Sequence, residues 1–207
     1  GTFALSDNTT GANNTGLGYY ALAQNTTASN NTAIGYQALQ ANTTGEVNSA
    51  FGATALYTNT TGYGNTAIGK AALYTNNGNN NTAVGHDTLD HNTTGAENTA
   101  VGRDALTANT TASDNTAVGT SALMTVTTSA NNTAVGTSAL KLNTGASNTA
   151  VGRGALLNNS SGGYNVAIGH NALNDNTTAS NNNAVGYDAL AVNTTGAHNN
   201  AFGTLAL

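Results

Sequence analysis

The sequence predicts an all-β protein, a parallel β-solenoid (β-roll) of about twelve coils of 16–17 residues. Three observations predict this fold: a short tandem repeat, a glycine fixed within every repeat, and the absence of any breaker-free stretch long enough for a stable helix. The same phrase begins at an asparagine with a spacing of 17 residues nine times and 16 residues twice. These asparagines are Asn14, Asn31, Asn48, Asn65, Asn81, Asn98, Asn115, Asn132, Asn148, Asn165, Asn182 and Asn199.

The repeats cover the whole chain. Residues 31–47, NTAIGYQALQANTTGEV, form a typical unit, and positions are numbered below from its first asparagine. Residues 1–207 are interpreted as a single uncapped array, with a partial coil at 1–13, eleven full coils at 14–198 and a partial coil at 199–207. Because solenoids need polar caps, we expect a window of a longer array, or a filament whose neighbours cover the ends. The two short units each lose a residue in the NTT(G/A) stretch, which indicates a surface turn.

Position five is glycine and position one is asparagine in every unit. An unvarying glycine indicates positive φ or a close approach that excludes a side chain. Stacked identical asparagines predict ladders of amide hydrogen bonds along the rod. The residues assigned these structural roles are Gly35, Gly52, Gly69, Gly85, Gly102, Asn31, Asn48 and Asn65.

Each unit is expected to contain two short strands, one over TAIG and one over the four residues around Ala-Leu. One short helix and a turn would also fit 17 residues, but the central glycine and the NTTG segment disfavour it. Position four is always branched or aromatic and position nine is leucine, so both columns are expected in the core. Burial is predicted for Ile34, Val84, Val118, Leu39, Leu89 and Leu123. The variable position six is predicted to be exposed at Tyr36, Lys70, His86 and Arg103.

Alanine dominates positions three and eight, on the opposite strand face from the large apolar residues. A single roll needs only one apolar strand face to form its core, so the second apolar face has no partner within the coil. We therefore expect a second copy of the chain to pack on the small alanine face, which predicts a homo-oligomer.

Composition excludes several function classes. The chain has no cysteine, so it has no disulfide, catalytic thiol or thiolate metal site. Only four lysine and arginine residues are present, so nucleic acid is not an expected partner. No apolar run approaches the roughly 20 residues needed to cross a bilayer, so membrane insertion is not expected.

No constellation of residues predicts an enzyme, a cofactor or a metal site. His86 and His91 could approach within one coil beside Asp87 and Asp90, but scattered surface residues explain them as well. No Ser-His-Asp set or nucleotide-binding glycine motif is present. The expected catalytic, cofactor-binding and metal-binding sets are therefore empty.

Glycosylation is the strongest chemical signal. Many N-x-(S/T) sequons fall on the NTT turns, although any Asn/Thr-rich ladder generates such sequons by chance. The candidate attachment residues are Asn25, Asn42, Asn59, Asn92, Asn109, Asn176 and Asn193 for N-linked sugar, and Thr43 and Thr44 for O-linked sugar.

The repeated phrase A-(I/V)-G-x-x-A resembles the head repeats of YadA-like trimeric autotransporter adhesins and related phage tail-fibre repeats. The match is carried by residues 31–35 with Ala38, and by residues 48–52 with Ala55. The adhesin unit is shorter, and the added residues here fall in the NTTG turn. The resemblance implies a left-handed β-roll, three chains to a fibre, and an adhesive or spacer role.

The expected function is a non-enzymatic structural repeat protein that self-assembles into a fibre or adhesin shaft. Its expected localisation is extracellular, on a cell surface or a virion surface. The expected partner is the chain itself, as a homotrimer, an end-to-end filament or both, with surface carbohydrate as a further candidate. One alternative is a filament coated by sugars on the Asn-Thr-Thr turns. A second alternative is an ice-binding solenoid, because position two forms a regular column of threonines.

Overall fold

The computed structural model describes residues 1–207 as a stack of coils, each containing one three-residue parallel strand. The strands are β1 (Thr15–Leu17), β2 (Thr32–Ile34), β3 (Ser49–Phe51), β4 (Thr66–Ile68), β5 (Thr82–Val84), β6 (Thr99–Val101), β7 (Thr116–Val118), β8 (Thr133–Val135), β9 (Thr149–Val151), β10 (Val166–Ile168), β11 (Asn183–Val185) and β12 (Asn200–Phe202). They pair in chain order in one sheet, and the chain contains no helix. The predicted parallel β-solenoid is confirmed. At the ordinary strand spacing, twelve strands extend over roughly 50 Å.

The strands pair in the register of the sequence repeat. Ala33 of β2 lies opposite Ala50 of β3, and Ile34 lies opposite Phe51. The pairing remains in register where a unit is one residue short, with Ala67 opposite Ala83. Each position of the unit therefore forms a column along the rod.

The prediction of a second strand around Ala-Leu is wrong. Residues 36–41 form stacked turns, because positions seven and nine adopt left-handed backbone, with φ of 54° at Gln37 and 52° at Leu39. These turns still pair between coils, and the Leu39 N–H donates to the Ala55 carbonyl at 2.9 Å. Of 132 backbone hydrogen bonds only 22 lie within the strands, so pairing between turns joins the coils at least as much as the sheet does.

Alanine and leucine fill the core. Ala33, Ala38 and Leu39 are fully buried, as are the same positions along most of the rod. The predicted burial of Leu39, Leu89 and Leu123 is confirmed. The predicted exposure of Tyr36, Lys70, His86 and Arg103 is also confirmed.

The prediction that Ile34, Val84 and Val118 are buried is wrong, since all three are only half-buried. Strand residues alternate between faces, and here the alanine of each strand points inward. The leucine from position nine already fills the interior of the coil. The space that remains opposite it is filled by alanine, so the larger position-four side chain lies outside.

Position five requires glycine for both predicted reasons. Gly35 has a φ of 141°, and a Cβ there would lie 2.4 Å from the Gly52 carbonyl oxygen of the next coil. The other assigned glycines, Gly52, Gly69, Gly85 and Gly102, have φ between 131° and 141°.

Two buried asparagine columns join the coils. At position one, the backbone N–H of Asn48 donates to Asn31 Oδ1 at 2.9 Å, and the Asn31 amide donates to the Gly45 carbonyl at 2.9 Å. Asn65 repeats the first contact on Asn48 at 3.0 Å. The predicted amide ladders are confirmed, and they satisfy buried polar groups without using charge.

Candidate functional site

The outward strand face consists of the side chains at positions two and four of β1–β12. Position four presents large apolar side chains to solvent, with exposed fractions of 43% at Ile68 and 36% at Val101. Along the rod this column comprises Leu17, Ile34, Phe51, Ile68, Val84, Val101, Val118, Val135, Val151, Ile168, Val185 and Phe202. None of the twelve strands contains a charged residue. The outward strand face is therefore an uncharged, mostly apolar stripe roughly 50 Å long.

Position two places a hydroxyl column beside the apolar one. Because residues two apart on a strand share a face, both columns belong to the outward strand face. The hydroxyl residues are Thr15, Thr32, Ser49, Thr66, Thr82, Thr99, Thr116, Thr133 and Thr149. The column then continues with Val166, Asn183 and Asn200, so it is regular over the first nine strands only.

The apolar column at position four continues without interruption along all twelve strands. Monomeric proteins rarely expose contiguous apolar patches beyond a few hundred Å², and larger patches mark interaction surfaces. The alanine columns that were expected to meet a second copy cannot do so, because Ala33, Ala50 and Ala100 are fully buried. The sequence analysis did not identify position four as an exposed apolar column. The signal was present in the uniformly small residues of positions three and eight, which fit a narrow interior.

The asparagines proposed as glycan attachment points are not exposed. Asn25, Asn42, Asn59, Asn92, Asn109 and Asn176 are each fully buried. The Asn42 amide donates both to Asn25 Oδ1 and to the Gly45 carbonyl, each at 2.9 Å. An N-linked sugar replaces one amide hydrogen and needs space outside the fold. This burial counts against N-glycosylation at these six positions.

The remaining attachment candidates differ in accessibility. Asn193 is half-buried and its amide donates to the Gly196 carbonyl at 2.8 Å. Thr43 is half-buried, with its hydroxyl donating to the Thr60 carbonyl at 3.0 Å. Thr44 is exposed. O-linked sugar at Thr44 stays a prediction.

The histidines form no joint site. His86 Nδ1 lies 2.9 Å from Asp87 Oδ2, and these two groups share a cluster with Asp104 whose ligand atoms lie within 4.8 Å of one another. Arg103 Nε lies 3.3 Å from Asp104 Oδ2 and supplies a positive charge to this cluster. The cluster is partly exposed, and nothing in it beyond residue type indicates an ion.

His91 belongs to a different pair. Its Nδ1 lies 2.8 Å from Asp90 Oδ1, and this hydrogen bond raises the pKa of His91 above its ordinary value. The His91 side chain is 69% exposed, so solvent screens the pair and it contributes little to stability.

A comparison of the chain with protein-family models, curated proteins and solved structures finds no match. The structure has no helix that is long and apolar enough to cross a membrane. The outward strand face is therefore the feature from which a function can be argued.

Proposed function

We propose that the chain is a non-enzymatic structural repeat protein that self-associates through its outward strand face to form a fibre on a cell or virion surface. The observation that carries this proposal is the uncharged stripe of partly or fully exposed Val, Ile, Leu and Phe side chains along all twelve strands. Burying apolar surface stabilises association by about 25 cal/mol per Å² before the entropic costs of association. A second copy of the same stripe is a suitable partner, because it is apolar and uncharged over the same length.

The arrangement we propose is three copies around a common axis, as the resemblance to YadA-like head repeats implies. Only small or branched side chains at position four allow sheets to approach evenly along the whole rod, and ten of the twelve strands have Val, Ile or Leu there. End-to-end stacking, in which the coils of one copy continue those of another, would lengthen the same fibre.

Sedimentation of two charge-matched variants tests the proposal. Ile68, Val101 and Val135 are replaced together by Asp on the outward strand face. Tyr36, Thr137 and Tyr187, which are exposed at position six, are replaced together by Asp as the control. We expect the wild type and the control to sediment as oligomers, and the strand-face variant to sediment as a folded 20.5 kDa monomer. A wild-type monomer that persists at micromolar concentration contradicts the proposal.

Ice binding is the second candidate function. It is favoured by the nine consecutive hydroxyl residues of position two, which stand in register on the outward strand face. Thermal hysteresis of the wild type that is lost in a Thr82→Asp, Thr116→Asp variant would support it. Absence of hysteresis in a monomeric preparation would eliminate it.

A further inference from the structure

A pocket of about 270 Å³ lies on the NTT-turn side of the rod, between the coils that begin at Asn31 and Asn48. It is lined by Thr44, Glu46, Val47, Thr61 and Tyr63. None of these residues belongs to the outward strand face. It is the one pocket that the structure contains.

The pocket lies next to a gap in the repeat. Thr44 and Thr61 both occupy position fourteen, so they follow one another along the rod. The next unit is one of the two short ones, and its turn runs Asn76-Asn77-Gly78 with no residue at position fourteen. The threonine column is therefore interrupted after Thr61, where Asn77 Oδ1 of the short turn accepts a hydrogen bond from the Thr61 N–H at 3.1 Å, and it resumes at Thr94.

Backbone strain marks the same place. Val47 has a φ of 59°, and a β-branched residue in left-handed backbone is a genuine outlier. In the other coils this column consists of Asn13, Asn30, Gly64, Asn80, Glu97, Asp114, Asn131, Ser147, Tyr164, Asn181 and His198, with no other β-branched residue. Strain of this kind persists where the surroundings enforce it, and here the stacked coils impose left-handed backbone on the whole column.

The chemistry of the lining suits a sugar. The Tyr63 ring is 51% exposed and Val47 is 59% exposed, which gives one apolar wall. Glu46 forms no ion pair, so its carboxylate is free to accept hydrogen bonds. The threonine hydroxyls can both donate and accept. A pyranose ring presents an apolar C–H face to an aromatic wall and its hydroxyls to such polar groups.

We propose that this pocket binds a single pyranose unit of a glycan. Its volume lies just below the roughly 300–1,000 Å³ of pockets for drug-sized ligands, which fits one sugar ring rather than a longer saccharide. A primary amine could use Glu46 and the ring, but it would leave the two hydroxyl groups without a role. This binding goes beyond self-association and does not depend on it, because the pocket and the outward strand face share no residue.

Saturation-transfer NMR on the full chain tests the proposal. The probes are the methyl pyranosides of glucose, galactose, mannose, N-acetylglucosamine and fucose, with methylamine as a separate probe. We expect saturation transfer to at least one glycoside. Tyr63→Ala should weaken its binding about tenfold, since aromatic contacts contribute about 0.5–1.5 kcal/mol beyond buried area. Glu46→Gln should weaken it less, because the amide still offers an oxygen acceptor.

Tyr164→Ala is the matched control. Tyr164 is an exposed tyrosine of the same turn in a distant coil, away from the pocket, and we expect its replacement to leave sugar binding unchanged. Circular dichroism checks that each variant stays folded. The proposal is overturned if no glycoside binds, if only methylamine binds, or if Tyr63→Ala and Tyr164→Ala have the same effect.

Discussion

A single valine interrupts the buried asparagine column at position twelve. In this column each side-chain amide that follows another asparagine donates to the oxygen of the preceding coil, as Asn59 does to Asn42 at 3.1 Å. Val126 occupies the same position in the unit after Asn109 and has no donor. Asn109 Oδ1 is accordingly buried without a hydrogen-bond partner.

At the residue scale we predict that Asn59→Val destabilises the protein by roughly 1–3 kcal/mol, because it leaves Asn42 Oδ1 buried and unpaired. The measurement is the free energy of unfolding in urea. Val126→Asn is the reciprocal variant and should raise stability by about 1 kcal/mol, because it supplies the missing donor to Asn109 Oδ1. No loss in Asn59→Val together with no gain in Val126→Asn would show that the asparagine ladder contributes no stability.

A second residue-scale prediction concerns glycine. Gly35→Ala should lower the free energy of unfolding by several kcal/mol or prevent folding. Its Cβ would lie 2.4 Å from the Gly52 carbonyl oxygen, which cannot move without the rest of its coil. Gly64→Asn is the control: its φ is 67°, a Cβ there approaches only the Asn80 side chain closely, and asparagine already occupies this position at Asn30. We expect the control to lower the free energy of unfolding by no more than about 0.5 kcal/mol. Thermal unfolding of the two variants decides between these outcomes.

At the scale of one coil, the sequence predicts the period, the glycine bend and the asparagine ladders, because each depends on backbone spacing alone. The sequence does not predict correctly which strand face points inward. Size alone favoured Val and Ile in the core, but a narrow coil already filled by Leu39 leaves space only for Ala33. The sequence analysis placed the asparagines of position twelve in exposed turns. The two short units, however, lack position fourteen and keep the asparagine of position twelve. That difference indicates that the asparagine has a structural role.

Neighbouring residues on one strand test the corrected register. Ala100 is fully buried and Val101 is 36% exposed. We predict that Ala100→Leu destabilises the protein by about 1–3 kcal/mol or more through overpacking. Val101→Leu adds a methylene group to an outward side chain and should change stability by less than about 0.5 kcal/mol. Urea unfolding at low protein concentration measures both, and the reverse order would restore the register with Val inward.

At the scale of the whole molecule, each strand pairs only with its immediate neighbours in the chain. Stability in such an array is approximately a sum over coils and the contacts between adjacent coils. Whole coils can therefore be removed without changing any column. Residues 98–147 comprise three coils, and deleting them joins Glu97 to Asn148 in the same way that Glu97 now precedes Asn98.

We predict that the 98–147 deletion folds as a shorter solenoid. It also removes Val126, so that Asn92 and Asn159 become neighbours in an uninterrupted asparagine column. The urea m-value should fall by roughly a quarter, in proportion to the surface exposed on unfolding, since three of the twelve strands are lost. Deleting residues 98–139 is the control: it joins position seventeen to position nine, leaves a coil without its strand and glycine, and should aggregate or lose its β-sheet circular dichroism. If both deletions fold equally well, the columns do not determine the register; if neither folds, the coils are not interchangeable units and the additive description of this array fails.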